Sequence, residues 1–235
     1  MSQPRISRLR IWKKHELRVV DVLLVALELL RNKGNLPQKE VLLNRELYFC
    51  LLEANKKMKK SGYEYFDHIP TPEGHNPPDP DDELMAVREN KIPDFYWGYI
   101  DHTESDPRRS ARNYVIECKR LGRPLRADRI FNHNYVHKGI LRFITEEHGY
   151  AKGEKSGAMV GYVQSMEFDE ILCEVNDSAA SFGIPDLKAP DNGWQINGTS
   201  QLAHQLTRKF AFSPFQLSHF WVDLRTNKPA KKRPF

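Results

Sequence analysis

Cysteine is scarce in this sequence: 235 residues hold three, Cys50, Cys118 and Cys173, widely spaced and without a CxxC pair. An odd, scattered set argues against a disulfide framework and a structural zinc site, and for a reducing compartment, read here as the cytoplasm. Long apolar runs are also missing. The stretch around Val22 to Ala26 is interrupted by Asp21 and Glu28, far short of the roughly 20 apolar residues that cross a bilayer, so no membrane partner is expected. Nothing resembling a small-residue cleavage site follows the basic N-terminus, which speaks against a signal peptide. Glycine-rich phosphate loops are absent, so an internal ATPase is not supported, and there is no internal repeat.

What the chain does have is an excess of base and enough apolar residues for a core. Lys and Arg number 36 against 31 Asp and Glu, a net charge of +5, and 40% of residues are apolar. With a pI of about 9.0, a polyanionic partner is favoured.

The periodicity changes along the chain. Residues 1–11 read as a loose basic arm. Residues 12–32 carry Leu17, Val20, Leu23, Leu24, Leu27 and Leu30 at helical spacing, with Gly34 as a stop. Pro37 opens a second helix that runs to about Lys60. Residues 69–83 are rich in proline and acid and read as a loop. Its Asp79, Asp81, Asp82 and Glu83 have the composition of a cation site and equally that of a solvated loop.

Beyond this loop the period becomes two. Strands are predicted at Ile92 to Ile100 and Asn113 to Leu121, with a polar turn over 101–112. A helix at 134–147, a buried strand at Met159 to Val163, a helix at Phe168 to Phe182 and strands near Leu202 to Phe210 and Phe215 to Leu224 follow. This order describes a mixed α/β layer architecture.

The chemistry concentrates in IPDFYWGYI and NYVIECKRLG. Alternation puts Val115, Glu117 and Lys119 on one strand face and Tyr114, Ile116 and Cys118 on the other. A carboxylate and an ammonium on a mostly apolar strand are costly to bury unless paired or bound to metal. A hairpin turning at 101–112 brings Asp94, placed on the preceding strand, towards Glu117. Two carboxylates that close favour a divalent cation with a taste for oxygen, Mg²⁺ or Mn²⁺. Lys119 could then orient or deprotonate a water, or stabilise the transition state.

Pro93-Asp94 with Glu117-Cys118-Lys119 resembles the PD-(D/E)xK signature of restriction-endonuclease-like nucleases. The resemblance covers roughly residues 40–225, and NYVHKGILRFI, AMVGYV and QLSHFWVDL look like segments of small bacterial members, some tied to phage defence. It implies a central mixed sheet flanked by helices, with an N-terminal helical extension (residues 1–35) outside a nuclease-like domain (36–235). Asp94, Glu117 and the Cys118 backbone carbonyl would bind the metal, and Lys119 would assist catalysis. A further acid from the preceding helix would be Glu46, or alternatively Glu53.

The function implied is hydrolysis of phosphodiester bonds, in DNA before RNA, by a magnesium-dependent nuclease. The alternatives are a catalytically silent docking or nucleic-acid-binding subunit, and a structural ion pair. Arg120, Arg123 and Arg126, with Arg129 behind them, are candidates to grip phosphates, or form a solvated face. Gln164 is either an active-site amide or a strand-end amide. His133, His137 and His148 read as helix-surface residues, and Tyr96, Trp97 and Tyr99 as core before base-stacking platforms. Double-strand cleavage would call for a homodimer. Restraint of a small nuclease in the cell would call for a partner protein such as an NTPase or a sensor.

Overall fold

The computed structural model describes residues 5–60, 68–76, 83–123, 130–210 and 212–225. Helix α1 spans Arg5–Asn32 and α2 Glu40–Lys60. The predicted arm is therefore helical from Arg5 onward. The buried stripe of α1 is Val19, Val22, Leu23, Ala26, Leu27 and Leu30, whereas Leu17 is 51% exposed. Each fully buried side chain of this kind contributes roughly 1.5–3 kcal/mol. Glu40 opens α2, and Lys57, Lys59 and Lys60 close it, charges that oppose the helix dipole at both ends.

Next come β1 (Thr71–Pro72), the short α3 (Met85–Arg88), β2 (Phe95–Ile100) and β3 (Ala111–Leu121). Helix α4 (Phe131–Tyr135) continues through a π turn at Val136–Ile140 into α5 (Leu141–Ile144). Strand β4 (Ser156–Val163), helix α6 (Phe168–Ser181), β5 (Thr199–Leu206) and β6 (Phe215–Asp223) complete the order. The six strands form one mixed sheet in the order β1-β2-β3-β4-β6-β5. The β3–β4 and β4–β6 pairs are parallel, and the others antiparallel. The expected α/β class and central mixed sheet flanked by helices are thus present.

The two sheet faces carry separate cores. Phe95, Trp97, Tyr114, Ile116, Cys118, Val160 and Phe220 pack with α1 and α2. Tyr96, Val115, Leu121, Met159, Leu217 and Trp221 pack with the α4–α5 and α6 side. Strand β4 is buried along its whole length, as a central parallel strand should be. Gly161 on this strand is required by packing: a Cβ there would stand 2.5 Å from Leu121 and 2.7 Å from Trp221.

Two placements bear on the site. Helix α1, which the sequence sets apart within residues 1–35, packs directly on the sheet. Its Trp12 indole donates to Ser156 Oγ at 3.3 Å, His15 Nε2 bonds the Trp97 carbonyl at 2.9 Å, and its apolar stripe lies in the same core as α2 and the sheet. Asp94 precedes β2 instead of lying on it. Pro93 has no N–H to donate, and the chain bends at Asp94 before the strand begins, although the Asp94 carbonyl still accepts from Glu73 N–H at 3.0 Å.

Candidate active site at the edge of strand β3

The site forms where β2 stops. Phe95, the first residue of β2, pairs with Ile116, and β3 continues past this pair without a neighbour on that side. Main-chain N–H groups there need other acceptors. Asp94 Oδ2 accepts from Cys118 N–H at 2.6 Å, and Glu40 Oε2 from Arg120 N–H at 3.2 Å. Two carboxylates are thus tied to the strand edge by its own backbone. Asp94 Oδ1 also accepts from Asn44 Nδ2 at 2.8 Å, and Tyr162 O–H donates to Asn44 Oδ1 at 2.9 Å. That chain fixes the carboxylate's orientation.

Glu117 and Lys119 project from the other face of β3. Lys119 Nζ lies 2.7 Å from Glu117 Oε1, 3.1 Å from Glu40 Oε1 and 3.6 Å from Asp94 Oδ2. It also donates to the Cys118 carbonyl at 2.7 Å. One ammonium therefore gathers three carboxylates and a backbone oxygen. Arg142 Nη1, from α5, lies 2.7 Å from the same Glu117 Oε1 and 3.3 Å from the Tyr150 hydroxyl. Glu117 is fully buried, and its second oxygen, Oε2, has no hydrogen-bond partner.

The electrostatics follow from burial and crowding. Burial and the neighbouring Asp94 push the Glu117 carboxyl up to about 8, only partly offset by Lys119 and Arg142. Burial likewise raises Asp94, against the opposing pull of Lys119 and the Cys118 N–H. For Lys119, burial works against its charge, but Glu117, Asp94 and Glu40 together outweigh it and hold the ammonium above the ordinary lysine range. Three carboxylates face two cations, so the fully ionised cluster is one positive charge short.

A divalent cation suits this donor set. Every available ligand is a hard oxygen, as Mg²⁺ and Mn²⁺ prefer, and the orphaned Glu117 Oε2 is a buried acceptor awaiting a partner. In the geometry described, the Lys119 ammonium sits at the centre. Among the described residues, no three His, Cys, Asp or Glu side chains stand in metal-holding arrangement.

Sequence reasoning and structure agree on part of the site. The structure brings Asp94, Glu117 and Lys119 together. It does not bring Glu46 to them: its carboxylate pairs with Lys33 at 2.9 Å, and Glu53 pairs with Lys57 at 2.9 Å. The acid that α2 delivers is Glu40, with Asn44 one turn on. At about 100° per residue, Glu46 points well away from that face. The sequence signal was there: Asn44 interrupts the Leu43, Leu47, Leu51 stripe, and Glu40 lies four residues before it. Arg142 and Tyr150 were also missed. For Arg142 there was no signal, because the π turn adds a residue and rotates everything after it.

The described side chains among the remaining candidates have partners other than the carboxylate cluster or are exposed. The Arg120 guanidinium lies 4.1 Å over the Phe131 ring and donates to the Gln38 carbonyl at 3.3 Å. Gln164 Nε2 donates to the same carbonyl at 3.1 Å. Arg123 is exposed. Arg126, Arg129, Asp79, Asp81 and Asp82 lie outside the described residues. His133 Nδ1 bonds Ser178 Oγ at 3.0 Å, with His137 stacked beside it at 5.6 Å, and His148 Nδ1 bonds Thr145 Oγ1 at 3.2 Å. Tyr96 and Trp97 are buried. All three cysteines are free. Among the described residues, no helix is long and apolar enough to cross a membrane.

The chain matches no protein-family model, no curated protein and no solved structure.

Proposed function

We propose that the chain is a metal-dependent nuclease that hydrolyses phosphodiester bonds, in DNA before RNA, at the Asp94–Glu117–Lys119 cluster. The observation that carries this reading is a trio of carboxylates, Glu117 buried and Asp94 and Glu40 partly buried, that is one positive charge short, with Glu117 Oε2 unpartnered. Asp94, Glu117 and the Cys118 carbonyl would hold the ion, with Glu40 as a further oxygen ligand, directly or through water. Bound magnesium supplies a Lewis acid that lowers the pKa of a water and offsets charge on the scissile phosphate. Lys119, released from the carboxylates that now surround it, would orient the attacking water for in-line displacement. Buried surroundings on both strand faces strengthen these interactions and limit stray water. The resemblance to small bacterial nucleases supports a phage-defence role, double-strand cutting by single-strand sites would call for a homodimer, and restraint in the cell would call for a partner such as an NTPase or a sensor.

The closed ion network of Lys119 also favours a second reading, a silent subunit in which the cluster is a structural ion pair. Thermal unfolding with Mg²⁺, Mn²⁺ or EDTA separates the two. A metal site is stabilised by the cation and loses that response in Asp94→Ala. A structural ion pair shows no cation response, and Asp94→Ala destabilises it equally with and without metal.

A further inference from the structure

We propose that Arg142 is the group through which this site holds the phosphate it acts on. The inference rests on the nuclease reading for the identity of that phosphate. A guanidinium offers five N–H donors in a rigid fork. Arg142 spends only one nitrogen within the site: Nη1 reaches Glu117 Oε1 at 2.7 Å and the Tyr150 hydroxyl at 3.3 Å. Among the described residues, Nε and Nη2 make no hydrogen bond, and the side chain is 26% exposed. Glu117 Oε1 already has Lys119 at 2.7 Å. An arginine serving only to neutralise a buried carboxylate would pair with both of its oxygens, the stronger bidentate geometry. Here Arg142 touches one oxygen end-on and leaves Oε2 untouched. Arg142 Nε and Nη2 and Glu117 Oε2 are thus left without partners on either side of one shared contact, the nitrogens suited to a phosphate oxygen and the carboxylate oxygen to a cation.

The helix is shaped to deliver this side chain. A π turn, uncommon and frequent at functional sites, occupies Val136–Ile140 just before α5. Within it, Gly139 lets the backbone press onto the site. A Cβ at Gly139 would collide with the Met159 methyl and stand 3.5 Å from Lys119 Cγ. The Arg142 guanidinium carbon then lies 5.7 Å from the Tyr150 ring centre, and the Tyr150 ring is set edge-on to Phe143 at 5.7 Å. The guanidinium is thus oriented from two sides, by Glu117 and by Tyr150, while the side chain as a whole stays partly exposed.

The test measures binding apart from cleavage. Fluorescein-labelled single- and double-stranded oligonucleotides are titrated in Ca²⁺ against wild type, Arg142→Lys and Arg142→Gln at several salt concentrations, and cleavage is followed separately in Mg²⁺. Arg142→Gln is expected to weaken oligonucleotide binding about tenfold or more, and to reduce the salt slope by about 0.9 on duplex and about 0.7 on single strand. Arg142→Lys, which keeps the charge beside Glu117, should retain the salt slope with intermediate affinity, and it controls for misfolding. Arg142-dependent binding without cleavage by wild type would sustain the phosphate contact and remove the nuclease reading. Normal cleavage with unchanged affinity and slope in Arg142→Gln would overturn the contact and leave the nuclease reading standing. Failure of wild type to bind either oligonucleotide would overturn it as well.

Discussion

Lys119 Nζ and Glu117 Oε1 lie 2.7 Å apart, on neighbouring same-face positions of β3, and both residues are buried. This pair is the centre of the candidate site, because the ammonium also draws in Glu40 and Asp94. Removing it should expose what it balances. In Lys119→Ala, Arg142 alone faces three carboxylates. A loss of about 3–5 kcal/mol is expected from breaking a buried pair, partly restored by Mg²⁺ or Mn²⁺. Urea unfolding with and without the cation checks this. Unchanged stability, or no recovery with either ion, would contradict the account.

Glu40 and Glu46 should behave differently although both belong to α2. Glu40 contacts Lys119 and the Arg120 N–H, whereas Glu46 pairs with Lys33 in a half-exposed bridge. Glu40→Ala is expected to weaken metal affinity or activity about 10–100-fold. Glu46→Ala should cost no more than about 1 kcal/mol and leave the metal response intact. Calorimetric Mn²⁺ titration of both variants distinguishes them, and the reverse ranking would refute the assignment.

Asn44 links Tyr162 to Asp94 through two hydrogen bonds of 2.9 and 2.8 Å. Asn44→Leu keeps the volume and strands both partners. A destabilisation of about 1–3 kcal/mol is expected, together with weaker metal binding, since Asp94 loses its orienting contact. Denaturant unfolding and Mn²⁺ titration measure the two effects. Weaker folding with unaltered metal affinity would show that Asn44 does not position Asp94.

The acid response should come in part from His15. Burial lowers it to about 4, against the raising effect of its bond to the Trp97 carbonyl. Its folded pKa lies below the unfolded value of about 6.5. The stability this neutral imidazole contributes is therefore fully present above that value and lost as the pH falls through about 4. In His15→Gln the pH dependence of unfolding between these limits should flatten by at most one proton, about 1.4 kcal/mol per pH unit. Unfolding at a series of pH values tests this. A slope equal to wild type would show that His15 does not carry the effect.

Much of the sheet was legible because its signals are local. Alternation along NYVIECK placed Glu117 and Lys119 on one face, and the apolar run at Met159 to Val163 marked the central strand. The elements missed or misplaced depend on tertiary facts. Helix α1 starts at Arg5, although Arg5, Arg8 and Arg10 in its first turns give that stretch the composition of a basic arm. Glu46 sits in a sequence position that suits a site acid, but helix geometry turns Glu40 and Asn44 inward instead. Arg142 reaches Glu117 only because a π turn shifts the helical phase, which no apolar pattern announces. The anchoring of Asp94 depends on β2 ending at Phe95, a register set by pairing across the sheet.

The central claim is tested most directly by incubating purified protein with plasmid, linear duplex, single-stranded DNA and RNA, each with Mg²⁺, Mn²⁺ or EDTA, beside Lys119→Ala. Cleavage of at least one substrate that requires the cation, stops in EDTA and disappears in Lys119→Ala is expected. Cleavage of none of them, or cleavage that survives Lys119→Ala, would contradict it.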